Sequence, residues 1–75
     1  MVMKYYPDVD MLRIILHETP FEAYGEDTND ENVTLLYDAE HRLAEVEVAH
    51  ASSRLDLDYL RPSSAFKEIL PANAE

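Results

Sequence analysis

Hydrophobic and polar residues alternate with a period of two over the first two thirds of the chain. Between residues 11 and 17 every second residue is apolar and faces one side, whereas Arg13 lies on the opposite side. This alternation is typical of a β-strand with one buried face. Turn-forming residues occupy 7–10 just before it, so the pattern predicts a hairpin between the segments 3–6 and 11–17.

A second hairpin has the clearest pattern in the chain. The segments 32–37 and 42–49 both alternate, and 38–41 has the composition of a turn. Histidine is enriched among non-glycine residues in the left-handed backbone region, so His41 is the residue that we expect to adopt it. A further, polar strand is predicted at 21–26.

The pattern changes after the last of these strands. Ser53 and Asp56 have the spacing of a capping box, and Leu55 with Tyr59 forms an apolar pair four residues apart. These features predict a short helix that begins close to Ser53. Pro62 ends it, because proline cannot continue a helix.

The spacing of apolar residues near the C-terminus predicts a second helical segment. Phe66, Ile69 and Leu70 lie at helical spacing, so a second helical turn is expected there, followed by a frayed tail. The sequence thus predicts one domain over 1–60 and a C-terminal extension over 61–75. The predicted fold class is α+β, mainly β: an antiparallel β-meander of four to five strands with a short C-terminal helix.

The composition restricts the class of partner. The chain has 75 residues, 16 of them acidic and 6 basic, with a net charge of −10 when the histidines are neutral. Such a field repels phosphate backbones and anionic lipid, so direct binding of nucleic acid or membrane is not expected. There is no cysteine, which removes a disulfide framework and thiolate zinc sites and is compatible with a reducing cytoplasm.

Acidic residues are densest between positions 22 and 31, where no base occurs. This segment is either a solvated edge that keeps the protein soluble or a docking face for a basic partner protein. The apolar residues Phe66, Ile69 and Leu70 likewise either pack on their own sheet or enter a groove of the partner. The acidic residues of the candidate docking face are Glu22, Glu26, Asp27, Asp30 and Glu31.

The sequence gives little support for a metal-binding or catalytic site. Asp27, Asn29, Glu31 and Asp38 occupy positions one, three, five and twelve of a calcium-type loop, but Asn32 replaces its glycine. The three histidines have no metal-ligand spacing, and paired carboxylates on one strand face arise from alternation alone. We therefore expect no cofactor and no catalysis, and a metal-binding or phosphate-mimicking acidic domain is the alternative function.

Self-association is predicted from apolar residues opposite the core face. Met11, Ile15 and Leu43 are exposed there unless a helix or a second subunit covers them. A chain of this size has a small core, and one short helix covers only one side of a sheet. A homodimer is therefore expected.

Two segments carry a resemblance to a known family. The first, 5–14, combines a tyrosine, a short acidic turn and Asp-x-Leu-x-Ile, and the second, 36–55, combines Tyr-Asp, a turn, Glu-Val-Glu-Val and Ala-Ser-Ser. Over about residues 3–55 the chain resembles the YuzE-like family of small bacterial domains. Tyr6, Arg13, Leu36, His41 and Glu45 depart from its pattern. The residues assigned to the family motif are Tyr5, Asp10, Leu12, Ile14, Tyr37, Asp38 and Glu47.

The resemblance implies a β-meander with a C-terminal helix and supplies no reaction or cofactor. Genes of this family often lie beside genes for small ribonuclease-like toxins, so it also suggests an antitoxin-like role. Together with the charge, this predicts a non-catalytic interaction module that neutralises a basic ribonuclease-type protein.

Overall fold

The computed structural model of the protein describes residues 1–18, 24–27 and 30–71, and for 24–27 it describes the backbone. Within these residues, six strands form one sheet and two short helices follow the fifth strand. The elements are β1 Val2–Tyr6, β2 Met11–Ile15, β3 Tyr24–Asp27, β4 Val33–Tyr37, β5 Leu43–Ala49, α1 Ala51–Arg54, α2 Leu57–Leu60 and β6 Phe66–Glu68.

The two predicted hairpins are joined through their second strands. The strand order is β3-β4-β5-β2-β1-β6. β5 pairs with β4 on one side and with β2 on the other, where Met11 is opposite Ala49 and Ile15 is opposite Glu45. The chain therefore leaves β2, forms β3 and β4 at the far edge, and returns with β5 to join the two hairpins into one sheet.

The alternation of the sequence becomes one apolar side of this sheet, which we call the core face. Residues opposite each other in a ladder point to the same side, and two such rows cross β1, β2, β5 and β4. Leu12 lies in the middle of one row and is completely buried. The rows consist of Met3, Ile14, Val46 and Leu35, and of Tyr5, Leu12, Val48 and Val33.

Both helices pack against the core face over β1 and β2. Ala51 of α1 and Leu57 of α2 are buried in one cluster with Met3, Tyr5 and Leu12. Each helix has only four residues, too few to be stable alone, so packing on the sheet has to supply their stability.

The predicted capping box is wrong, and the predicted helix is in fact two helices. The N-cap of α1 is His50, in the left-handed region, and the Ser53 hydroxyl donates to the His50 carbonyl within the helix. Leu55 is extended and separates the helices, and Asp56 then caps α2 by accepting from the Tyr59 N–H at 3.1 Å. Tyr59 is mostly exposed, so it forms no apolar pair with Leu55.

The second helical turn predicted from Phe66, Ile69 and Leu70 is also wrong. Residues 66–68 form strand β6, parallel to β1. The edge of β1 offers unpaired backbone groups, and these bond to Ala65, β6 and Ile69, whose N–H donates to the Tyr5 carbonyl at 2.7 Å. Pairing with this edge satisfies more backbone groups than one isolated helical turn would.

The α+β, mainly β fold class is confirmed, although the term antiparallel meander is loose. β6 is parallel to its neighbour, and β5 separates β2 from β4. The turn prediction at His41 is confirmed, with a φ of 63°. Residues 72–75 of the predicted frayed tail, 71–75, and the first residues of the predicted third strand, 21–23, lie outside the described residues. In the described part of the chain, no helix has the length and apolar character needed to span a membrane.

Leu12→Ala tests the position of the core. Because Leu12 is fully buried between two sheet neighbours and the helices, we expect a loss of about 3 kcal/mol in unfolding free energy, measured by urea titration. The control is Val9→Ala, because Val9 is 62% exposed and should change stability by less than about 0.5 kcal/mol. Equal effects of the two variants would contradict this core.

Candidate functional site

The side of the sheet opposite the helices carries a set of charged and apolar side chains that no described element covers. We call this side the open face. By strand alternation and register, its members are Val2, Lys4, Tyr6, Met11, Arg13, Ile15, Thr34, Leu36, Glu45, Glu47 and Lys67.

One row of the open face is charged from edge to interior. Lys67 of β6 is in register with Lys4 of β1, which is opposite Arg13 of β2. Arg13 is in turn opposite Glu47 of β5, and Glu47 is opposite Thr34 of β4. The row therefore begins with three bases and continues into an acid, so the two halves of the open face have opposite charge. We call this row of five residues the charged row.

Arg13 organises the middle of this row. Its Nε and Nη2 donate to the two carboxylate oxygens of Glu45, each at 2.8 Å, which is bidentate pairing. Nη1 donates to the Tyr6 hydroxyl at 3.0 Å, and Nε lies 3.6 Å from a Glu47 oxygen. The guanidinium is thus held rigidly against both carboxylates.

The two carboxyl groups beside Arg13 titrate differently. The hydrogen bonds from Arg13 lower the pKa of Glu45 despite its burial. Burial and the neighbouring Glu45 raise the pKa of Glu47, and Arg13 only partly offsets them. When two neighbouring carboxylates share one cation, the closer carboxylate gains most of the electrostatic stabilisation and its pKa falls. The pKa of the other carboxylate then rises, because its charged form is next to a negative charge.

A shallow cavity adjoins the charged row. It has a volume of about 230 Å³. Its lining is mostly polar, and the apolar side chain of Ile15 lies between Val2 on β1 and Glu45 on β5. The residues that line the cavity are Lys4, Arg13, Ile15, His17, Glu18, Ala44 and Glu45.

Asp38 closes the β4–β5 turn at the edge of the open face. Its Oδ1 accepts the backbone N–H groups of Glu40 and Arg42, both at 2.9 Å. Its Oδ2 lies 2.9 Å from the Arg42 Nε and 2.9 Å from the His17 Nε2. Burial favours the neutral acid, but these donors prevail and lower the pKa of Asp38 to about 2.

Asp10 connects the first hairpin to the helices. The Tyr5 hydroxyl donates to Oδ1 at 2.7 Å, and Ser52 donates its backbone N–H to Oδ1 and its hydroxyl to Oδ2 at 3.0 and 2.6 Å. The hydrogen bonds from Ser52 and Tyr5 lower the pKa of Asp10. The hydrogen bond with Asp10, together with burial, raises the pKa of Tyr5. Asp10 therefore does for α1 what an N-cap side chain normally does, since the His50 side chain does not cap it.

The family-motif residues are thus mainly structural. Tyr5, Leu12 and Ile14 belong to the core face, and Tyr37 ends β4 just before Asp38. Glu47 is the exception, because it lies on the open face beside Arg13.

The predicted acidic docking residues cluster only in part. The loop after β3 and the β1–β2 turn both lie at the end of the sheet where α1 begins, as the Asp10–Ser52 contacts and the ion pair of Asp30 with Arg54 show. We call this region the acidic end: Asp8, Asp27, Asp30 and Glu31. Asp8 and Glu31 are exposed, Asp27 ends β3, and Glu26 lies within β3. Glu22 lies outside the described residues.

The apolar C-terminal residues do not form a docking helix. The Phe66 ring stacks on Tyr5 with 6.3 Å between centroids, and the Arg61 guanidinium lies over both rings. Ile69 is half-buried, and only Leu70 is largely exposed. Packing on the chain's own sheet, one of the two alternatives, is therefore what the structure shows for Phe66.

The candidate ligands of the calcium-type loop do not come together around one point. Asp27 and Glu31 flank the β3–β4 loop, whereas Asp38 lies beyond the opposite end of β4, a separation of about 17 Å for a strand of this length. Asp38 also uses both oxygens on His17 and the β4–β5 turn. Where side chains are described, no group of three acidic or histidine residues is placed to hold a metal ion.

Sequence reasoning missed the Arg13–Glu45 pair. The two residues are 32 positions apart, and only the β2–β5 pairing brings them together. Alternation does place Lys4, Arg13 and Glu47 on the non-core side of their strands, which was the available signal. It does not reveal which strands are neighbours.

Comparison with known proteins assigns most of the chain to a family. The family model described as protein of unknown function, DUF2283, matches residues 3–52. The match begins in β1 and ends in α1 at Ser52, the residue that bonds to Asp10. No curated protein and no solved structure matches the chain. The match supports a small domain of unknown function, and the YuzE-like name is not confirmed by it.

Asp38→Asn tests the turn. A carboxyl with a lowered pKa stabilises the fold above its ordinary pKa and loses this contribution as the pH falls towards 2. The unfolding free energy of the wild type should therefore decrease between about pH 4 and pH 2 more steeply than that of Asp38→Asn, measured by urea unfolding. Glu40→Gln, an exposed carboxyl in the same turn, is the control and should retain the wild-type slope. Equal slopes for Asp38→Asn and wild type would contradict the proposed hydrogen-bond network.

Proposed function

We propose that this chain, which belongs to the DUF2283 family of proteins of unknown function, is a non-catalytic interaction module that binds a basic protein through its acidic end. The observation that carries the proposal is that the arginines form ion pairs within the chain. Arg13, Arg42, Arg54 and Arg61 each pair with a carboxylate of the same chain. These arginines are therefore engaged within the chain, which has a net charge of −10.

This net charge favours a cationic partner. A negative field of this size accelerates encounter with a basic surface and repels nucleic acid. At the acidic end, Asp8 and Glu31 are exposed, and Val9 between the two first strands is 62% exposed. An apolar side chain among carboxylates gives a partner both a charge contact and an anchor.

The carboxyl groups with lowered pKa support a role without catalysis. Asp10 and Asp38 are occupied by hydrogen bonds that hold a helix and a turn. A general acid or base needs a pKa close to the working pH. The pKa values of Asp10 and Asp38 are lowered, away from neutral pH.

The finer proposal is an antitoxin-like role in the cytoplasm. The basic partner is a small ribonuclease-type toxin, and the acidic end covers the cationic surface with which that protein binds RNA. The resemblance to YuzE-like domains supports this choice, since Tyr5, Asp10 and Asp38, which carry the resemblance, hold the hairpin and turn that frame the sheet. The absence of cysteine supports a reducing compartment.

The test is co-expression with the small basic protein encoded next to this chain in its host. Wild type should restore growth and bind the purified protein in a complex that weakens as salt increases. Neutralising the acidic end should raise the dissociation constant about tenfold and abolish the rescue. The variant carries Asp8→Asn, Asp27→Asn and Glu31→Gln, and it retains Asp30 because Arg54 pairs with that residue.

The matched control removes the same number of charges at exposed positions elsewhere: Glu18→Gln, Glu40→Gln and Asp58→Asn. Because it lowers the net charge equally, it should weaken binding by less than about threefold, through steering alone. Equal weakening by the two variants would show that only net charge matters and would overturn the acidic end as the site. No rescue by the wild type would overturn the antitoxin-like role.

A further inference from the structure

The open face differs from the rest of the molecule in its charge. Its strand positions carry three of the chain's six bases, Lys4, Arg13 and Lys67, and among the side chains that the structure describes only two acids, Glu45 and Glu47. The chain as a whole has 16 acids. Two copies that meet through this face therefore avoid the repulsion that any other pairing of such acidic surfaces would meet.

The two halves of the charged row are complementary to each other. The bases lie on β6, β1 and β2, and the acids lie on β5, which is the next strand across. A two-fold axis parallel to the strands reverses the order of strands in the second copy. With the axis along β2, it places Lys4 of each copy over Glu47 of the other, and Arg13 over Arg13, whose charge is neutralised by Glu45 of its own chain. An axis perpendicular to the strands would instead place Lys4 over Lys4 and Glu47 over Glu47.

The remaining residues of this face suit contact with a second sheet. The row beside the charged row contains the half-buried apolar residues Val2, Ile15 and Leu36, with Glu45, which pairs with Arg13, between Ile15 and Leu36. Sheets that pack face to face with nearly aligned strands bury such rows between them. Arg13 is already held by Glu45, so little side-chain freedom is lost on contact.

From these observations we infer that the chain forms a symmetric dimer through its open face, with the two-fold axis parallel to the strands and Lys4 of each copy facing Glu47 of the other. This inference goes beyond the proposed function and does not rest on it, because the contact on which it rests, Lys4 with Glu47, involves no residue of the acidic end. The occupant of the face is a second copy of this chain.

A pair of charge reversals tests the orientation. The first variant, Lys4→Glu, places acid against acid in its own dimer. The second, Glu47→Lys, places base against base. Each alone should be monomeric, with a dissociation constant raised at least tenfold. An equimolar mixture should form a heterodimer, because both contacts between the two variants are then of opposite charge. Analytical ultracentrifugation over micromolar to submillimolar protein measures all three samples.

Matched measurements separate interface from folding. Asp58→Lys makes the same charge reversal as Glu47→Lys at an almost fully exposed position away from the open face, and it should dimerise like the wild type. Circular dichroism establishes that each variant is folded. If a reversal fails to fold, the neutral variants Lys4→Gln and Glu47→Gln replace the pair, and each should weaken the dimer more than Asp58→Asn does.

Three results would overturn the inference. A wild type that stays monomeric throughout the concentration range shows that the open face does not self-associate. Variants that dimerise as tightly as the wild type place the contact elsewhere. Two monomeric variants whose mixture also stays monomeric refute the orientation of the two-fold axis.

Discussion

The hydrogen bonds of Asp10 are the constraint on which the rest of the structure depends. One carboxylate, positioned by a left-handed backbone with a φ of 53°, joins the β1–β2 turn, the Tyr5 hydroxyl and the first turn of α1. The backbone N–H of Ala51 also donates to the Asp10 carbonyl at 3.0 Å. Helices of four residues have no stability of their own, so this connection decides on which side of the sheet they pack.

Placing both helices on the core face leaves the other side of the sheet without cover from the described residues. The small core thus gains Ala51 and Leu57, and Arg13 with its two carboxylates occupies the opposite side. Ion pairs on a partly exposed face contribute little to stability, because Coulomb attraction is screened and side-chain entropy is lost. Their physical effect is instead specificity: they determine which surface can approach and in which orientation.

The limits of sequence reasoning follow the range of the interactions. Alternation and turn composition depend on neighbouring residues, and they located β1, β2, β4, β5 and the left-handed His41. Strand order depends on pairing across the chain, so the joining of β2 to β5, and with it the contact of Arg13 with Glu45, could not be derived from local pattern. Phe66 shows the same limit. Its spacing to Ile69 suits a helix, but the unpaired edge of β1, which is distant in sequence, makes the segment a strand.

The two proposed interfaces should respond to salt in opposite ways. The proposed attraction between the acidic end and a cationic protein would act over distances longer than contact, so added salt would weaken it. Two copies of a chain with net charge −10 repel each other over the same distances. Added salt screens that repulsion, whereas close Lys4–Glu47 contacts in the proposed dimer would be screened less. If both proposals hold, low salt favours the complex with a basic partner and higher salt favours association of the chain with itself. A protein in which both surfaces are used would show these opposite dependences in a single preparation, because the acids that attract the partner are also those that keep the copies apart.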